Sequence, residues 1–321
     1  MRIMKEKYKE FAKKENLPIF MQPFWLDSVC QNGMEWNVIL YEKGGEIWGS
    51  FVYVIKKKCG FTLITMPKLT QILGPYIKYP KGQKYYKKLS WEKEVMNYFI
   101  DNLPKFDHFN MNFHYSVTNW LPFYWRGFKQ TTRYTYVIDK NMELAELCKN
   151  FETDIRRRRR KAEKLRVEVF EGDDIKKFYE LNKMTFWRQG LNIPYSFDFV
   201  KKLYDNLNRN DACKMFFAKY KGEIIAANFL IYDESSVYYL MGGINPDKRD
   251  IGGMDVIQYE AIKFALYNNK NFDFEGSMIE SIEKYFRSFG AIQKPYFNIT
   301  KTNSRILKLK NCLKEILNNS G

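Results

Sequence analysis

Histidine is nearly absent from this 321-residue sequence: only His108 and His114 occur, six apart and so on one face if the segment is a strand. A His-based catalytic triad or a zinc centre needs more partners than that, so both are excluded, and no metal is expected. Cysteine is also scarce. Cys30, Cys59, Cys148, Cys213 and Cys312 are odd in number, far apart and without a CxxC pair, which reads as incidental thiols rather than a disulfide or metal framework. Long apolar runs are missing as well; the longest, Ile224 to Tyr232, is nine residues and includes Asn228, well short of the ~20 needed to cross a bilayer. The start, MRIMKEKYKEFAKKENLP, lacks the apolar core and cleavage site of a secretory signal, so a cytoplasmic location is expected.

What is abundant is aromatic and basic. Aromatics make up 17% and hydrophobic residues 45%, which excludes a disordered polycation, and the length fits two domains. Lys+Arg outnumber Asp+Glu by 53 to 37, a net +16. Lysine supplies most of the excess, 39 of the 53, and scattered lysine reports a solvated surface. Arginine is clustered instead. Six of the 14 fall between Arg156 and Arg166, where bidentate contacts to phosphate or carboxylate are the specialised use.

The pattern predicts a helix over 144–164, a strand over 166–170, and helices capped by Asp173 or Asp174 and by Ser196. A three-strand antiparallel meander follows over 213–220, 223–232 and 236–244, then a helix over 254–268, a strand over 271–275, a helix over 281–288 and a strand around 296–300. The first half shows a fainter version of that order, including a hairpin turning at Gly44-Gly45. This gives an α+β fold of two modules in tandem, each a mostly antiparallel sheet flanked by helices. The expected division is 1–145, 146–302 and a C-terminal helix over 303–321.

Arg249-Asp-Ile-Gly252-Gly253-Met254 lies between a strand and a helix start. Unpaired N–H groups, the helix dipole and glycines suit such a place to a pyrophosphate; an ordinary glycine turn is the alternative. The element order, this loop, and the run Phe272-Asp-Phe-Glu-Gly-Ser277 with Ile282-Glu-Lys-Tyr-Phe-Arg-Ser-Phe-Gly290 resemble the GNAT acyltransferases, and among them the tandem branch of the FemABX aminoacyltransferases and BioF2-like acetyltransferases. The resemblance implies transfer of an acyl group from coenzyme A or a charged tRNA to an amine. The donor loop would be Arg249, Gly252 and Gly253, and the strand carrying Tyr239, Met241 and Gly242 would lie beside the carrier's pantetheine arm. An N–H of Met241 or Gly242 would hold the oxyanion. Phe286 stands where FemABX proteins carry a lysine, which favours acetyl-CoA or another acyl-CoA over tRNA. The first module shows no such loop between Tyr76 and Ser90 and is expected to be degenerate and non-catalytic.

Acyl transfer to an amine needs a proton acceptor, and in a chain this poor in histidine a carboxylate is the obvious one. On a strand over 271–275, Asp273 and Glu275 project to one side and Phe272 and Phe274 to the other. Burial beside aromatics raises a carboxylate towards usefulness as a base. Glu275 is the first candidate and Asp273 the second; the alternative is that Glu275 caps the next turn and Asp273 forms a salt bridge. Five consecutive helical arginines, Arg156 to Arg160, cover the whole circumference, so at least one must face a cleft or a partner. The resemblance implies that this region borders the acceptor and meets its phosphates. Arg156, Arg157 and Arg160, with Arg188, are therefore the expected acceptor contacts, against a helix solvated or paired through Glu152, Asp154 and Glu163.

The leading expectation is an N-acyltransferase acting on an anionic acceptor, an amino sugar or cell-envelope precursor, with peripheral membrane contact left open. An aminoacyl-tRNA-dependent peptidyltransferase and a non-catalytic anion- or nucleic-acid-binding module are the alternatives.

Overall fold

The structure, a computed structural model, describes residues 2–310 and Leu313. In chain order it holds α1 (Arg2–Ala12), α2 (Pro23–Val29), β1 (Met34–Lys43), β2 (Glu46–Lys58), β3 (Phe61–Ile64), β4 (Gly74–Ile77), α3 (Tyr85–Asp101), β5 (His108–Asn112), α4 (Leu121–Trp125) and β6 (Lys129–Ile138). Then come α5 (Leu144–Lys149), α6 (Thr153–Lys164), β7 (Glu168–Glu171), α7 (Ile175–Arg188), α8 (Phe197–Arg209), β8 (Cys213–Tyr220), β9 (Glu223–Tyr232), β10 (Ser236–Ile244), α9 (Gly253–Tyr267), β11 (Asn271–Asp273), α10 (Glu280–Arg287) and β12 (Ile292–Thr302).

The chain divides into two compact units, Met1–Arg133 with Pro295–Gly321, and Tyr134–Lys294. These bounds differ from the expected 1–145 and 146–302 because of strand pairing. The end of β6 pairs with β11 inside the second unit, Val137 opposite Asp273, while Asn298–Thr302 of β12 pairs with β5 inside the first. Of the helix expected over 303–321, residues 305–310 are helical and most of the rest lies outside the described residues, as does Cys312.

In the first unit the β1–β2 hairpin turns at Gly44-Gly45, and β2 also pairs with β3 and β4. The core is aromatic: Phe51, Phe99, Phe109, Phe113 and Phe123 are fully buried and meet with centroids 5.1–6.5 Å apart. His108 bonds Thr302 from β5, but His114 lies beyond the strand's end in a turn with Ser116, so the two do not share a strand face. Burial lowers the His114 imidazole to about 4.

In the second unit the sheet order is β6-β11-β10-β9-β8-β7, antiparallel except for β10–β11. The meander over β8, β9 and β10 has the bounds its alternation predicts. β9 is buried along nearly its whole length because α7 and α9 both pack against it, which explains its continuous apolar run. The helix expected over 144–164 is broken at 150–152, where Phe151 turns down into the core against Phe289 and Tyr259. Both expected caps are present: Asp174 accepts from Lys177 N–H and Ser196 from Phe199 N–H. Ser196→Ala is expected to cost about 1 kcal/mol, read as a lower urea midpoint, because one N-terminal N–H of α8 loses its acceptor.

Candidate active site

β10 pairs with β11 only from Ser236 to Tyr238, while against β9 it continues to Ile244 with a register shift between Tyr239 and Met241. β11 ends at Asp273, opposite Tyr238, so from Tyr239 onward β10 has parted from its neighbour and, among the described residues, has no strand paired to that edge. Residues of a strand alternate which edge their N–H and C=O face. Asn182 Nδ2 donates to the Gly242 carbonyl at 2.7 Å, and Ile244 N–H donates to Thr185 Oγ1 at 3.1 Å, so residues 242 and 244 face the parted edge and Met241 faces β9. Of the two residues expected to offer an oxyanion N–H, Gly242 is the one on that edge. α7 thus supplies two polar side chains, Asn182 and Thr185, which helical spacing in the sequence did not single out. Asn182 is held in turn by the Tyr195 hydroxyl at 2.9 Å.

Aromatic side chains line the parting. The Tyr239 hydroxyl lies against Gly242 and 3.8 Å from Met254 Sδ, and the Tyr239 ring meets Phe286 edge-on with centroids 6.0 Å apart. Phe286, the residue in the FemABX lysine position, packs on Phe274 at 5.0 Å and is buried.

The carboxylates sit at the end of β11. That strand stops at Asp273 rather than 275, because Glu275 and Gly276 both take left-handed backbone, φ +59° and +70°. A Cβ on residue 276 would fall 2.1 Å from the Tyr134 carbonyl, so the turn requires glycine. Asp273 accepts from the Thr135 hydroxyl and from Glu275 N–H at 2.8 Å, so Asp273, not Glu275, caps the turn. Burial pushes the Asp273 carboxyl up to about 6 against those two hydrogen bonds. Burial, with the Asp273 charge adding to it, pushes Glu275 well above the ordinary carboxylate range. Burial and the neighbouring negative charge both favour the protonated form of Glu275. Phe272 and Phe274 face the core, as their alternation predicts.

At the start of α9, a short 3-10 helix over Pro246–Ile251 leads into Gly252, φ +88°, whose missing Cβ would meet the Arg158 carbonyl at 2.6 Å. The glycine here admits close packing of α6. Arg158 forks onto Asp255 in the first turn of α9, Nε to Oδ2 2.8 Å and Nη2 to Oδ1 3.1 Å. Burial raises the Asp255 carboxyl and the Arg158 fork opposes it; Tyr285, buried and held far above its usual range, faces the same carboxylate. Arg249 is exposed and its charge also acts on Asp255. Arg158, Asp255 and Tyr285 escaped the sequence reading, although five arginines in a row required one inward partner.

The arginine run splits by helix angle. Arg158 and Arg159 turn inward, Arg159 stacking on the Tyr259 ring at 3.5 Å. Arg156, Arg157 and Arg160 turn outward together with Lys161 and Lys164, lining a groove of about 770 Å³. The acids Glu152, Asp154 and Glu163 each pair with an arginine, Arg287, Arg157 and Arg159 respectively, so among the described residues four of the five groove cations, all but Arg157, carry no such pair. Arg188, exposed at the end of α7, does not line this groove. Among the described residues no His, Cys, Asp and Glu cluster is arranged to hold a metal ion, and burial pushes the Cys30 and Cys213 thiols up to about 12.

Residues 149–275 match the model of the acetyltransferase (GNAT) domain. No curated protein matches the chain in sequence. Among solved structures it is similar to FemX, with 18% identity, 92% of this chain and 96% of that one covered and a TM-score of 0.71. It is also similar to L-PGS from Bacillus licheniformis, with 11% identity, 94% of each chain covered and a TM-score of 0.54. A conserved protein of unknown function from Bacteroides thetaiotaomicron has 13% identity, 87% and 90% coverage and a TM-score of 0.50. The parted β10 edge, the carboxylates beside it and the matched domain lie in one unit, and residues 149–275 are a GNAT-type acetyltransferase domain within a chain whose fold is like that of FemX.

Proposed function

We propose that the second unit moves an acyl group from a carrier to an amine on an anionic acceptor. The observation that carries this reading is the parted edge of β10 at Gly242 with the Asp273–Glu275 pair at the end of the strand beside it. The amine nitrogen attacks the carrier's acyl carbon, the C–N bond forms, and the carrier's C–S or C–O bond breaks. Gly242 N–H receives the developing oxyanion, a contact that strengthens as charge builds. Glu275 takes the ammonium proton, and its raised affinity for protons favours that transfer. Arg156, Arg157 and Arg160 bind the acceptor's negative charge, which fits a nucleotide-linked amino sugar or a cell-envelope precursor met in the cytoplasm.

Acetyl-CoA or another acyl-CoA is the carrier that the loop and strand pattern implies. A charged tRNA is the second reading, and two observations favour it: Tyr239 and Phe286 line the edge along which a pantetheine arm would lie, with the Tyr239 hydroxyl against Gly242, and α6 packs on Gly252 at the start of α9. A carrier presenting only its acyl end needs neither space.

The arginine groove provides the test. Arg157→Ala with Arg160→Ala is expected to raise the acceptor KM about 10-fold or more with kcat unchanged, because the contacts hold ground state and transition state alike. A fall in kcat at unchanged KM would remove the groove from acceptor binding. Salt separates the carriers, since tRNA affinity falls steeply over many phosphates and coenzyme A affinity only weakly.

A further inference from the structure

We propose that the face made by α3 and α4 in the first unit docks on an anionic lipid surface. Folding leaves four large aromatic side chains on these two helices in water: Tyr85 is 74% exposed, Tyr86 59%, Tyr124 58% and Trp125 56%, with Leu121 beside them at 47%. α4 lies along α3, tied by Asn119 to Glu92 at 2.9 Å and by Arg126 to Asp101 at 2.9 Å, so the aromatics of both helices belong to one surface. Single exposed apolar residues are ordinary, but a group of exposed aromatics on two packed helices marks an interaction site, and the acids Glu94 and Asp101 on these helices are taken up by Lys43 and Arg126.

The charge names the partner. Lys81, Lys84, Lys87 and Lys93 are exposed in and around the first turns of α3, and Glu92 among them is buried and taken up by Tyr79 and Asn119. The lysines stand over the rings: Lys93 sits 5.0 Å from the centre of Trp125, Lys87 5.6 Å from Tyr86 and Lys88 4.5 Å from Tyr79. Each pair presents an ammonium group and an amphipathic ring side by side. This is the arrangement that the headgroup layer accepts, where rings sit at the apolar boundary and lysines meet phosphate. No helix among the described residues is long and apolar enough to cross a membrane, so the contact is peripheral. It draws on apolar contact and charge together, the two signals that stable surface binding needs.

Sedimentation of the full chain with lipid vesicles tests this independently of acyl transfer. Vesicles of phosphatidylcholine mixed with phosphatidylglycerol are expected to carry the protein down, and phosphatidylcholine alone to leave it in solution. Tyr86→Ser with Trp125→Ser should lower partitioning about 10-fold or more. Lys84→Gln and Lys87→Gln should each lower it about 5-fold, the equivalent of about 1 kcal/mol per basic residue near such a surface. All four positions are exposed, so melting temperatures should stay at the wild-type value. Brominated lipid should quench the wild-type emission more than that of Trp125→Phe, which reads the same contact without disturbing the face. Equal binding to both vesicle types would overturn the proposal. So would partitioning that follows Arg157→Ala with Arg160→Ala instead, or loss of self-association rather than vesicle binding in the α3 and α4 variants.

Discussion

Glu275→Gln should lower kcat for acyl transfer by about 10²- to 10⁴-fold, the range that a positioned general base contributes. The substitution keeps size and hydrogen-bonding capacity and removes only the proton acceptor. In the wild type the rate should rise with pH as Glu275 gives up its proton, at a pH raised by burial and by the Asp273 charge. In the variant that limb should disappear. Stability should move the other way. A carboxyl whose folded pKa lies above its unfolded value contributes stability that is present below the unfolded pKa and lost as pH rises through the folded one. The wild type should therefore lose stability as pH rises through the raised folded pKa of Glu275 while Glu275→Gln does not, so on the alkaline side the variant is expected to melt at the same temperature or higher. The left-handed backbone at Glu275 adds a cost of about 1–3 kcal/mol that a merely structural residue at this turn would not need. Loss of activity with retained or increased stability is the signature of a residue kept for chemistry. A variant that stays active, or that fails by unfolding, would make Glu275 structural.

Arg158→Met is the second large expected effect, on stability. It leaves Asp255, 5% exposed, without the fork that offsets its burial. Removing one partner of a buried ion pair costs about 3–5 kcal/mol, and the lower end applies because the Arg158 side chain is one-third exposed. The urea midpoint of the second unit should fall accordingly. The loss should shrink as pH is lowered towards 4, where the stranded Asp255 takes up a proton and no longer needs a counter-charge. Arg158→Met combined with Asp255→Leu should recover much of the loss, since an apolar pair of similar size avoids burying charge at all. If the double variant were no better than the single, the helix contact between α6 and α9, rather than the ion pair, would be what Arg158 holds.

Local pattern carried far in this chain where one face of an element meets a core. The meander from Cys213 to Ile244 and the Asp174 and Ser196 caps follow from alternation and from orphan N–H groups, both written within a few residues. α1 and β4 were not legible. α1 is dense in lysine and glutamate, and its buried stripe is only Tyr8, Phe11 and Ala12; β4 is four residues with a proline. The break after Lys149 was hidden because no Gly or Pro marks it, and Phe151 leaves the helix to pack on Phe289.

The site was legible in part for the same reason. Asp273 and Glu275 stand out as carboxylates beside aromatics, while Arg156, Arg157 and Arg160 are named only through the family resemblance, helix geometry requiring no more than one inward arginine. Asp255 and Asn182 come from helices distant in sequence from the groups they bond. Their partners, Arg158 and the Gly242 carbonyl, lie 97 and 60 residues away, and no local pattern encodes that meeting. Gly252 was expected to make room for a phosphate; it makes room for the Arg158 carbonyl, which the same backbone requirement allows.

The claim on which the mechanism rests is that Glu275, at the end of β11, holds its proton far more tightly than an ordinary carboxyl, with the Asp273 charge contributing. Carbon-13 NMR titration of the side-chain carboxyls, with Glu275→Gln to assign the resonance, measures it without any substrate. The account predicts that Glu275 titrates well above the ordinary carboxylate range and that its curve shifts when Asp273 is replaced by Asn. Titration of Glu275 at the ordinary value of about 4.3, unaffected by Asp273→Asn, would contradict it.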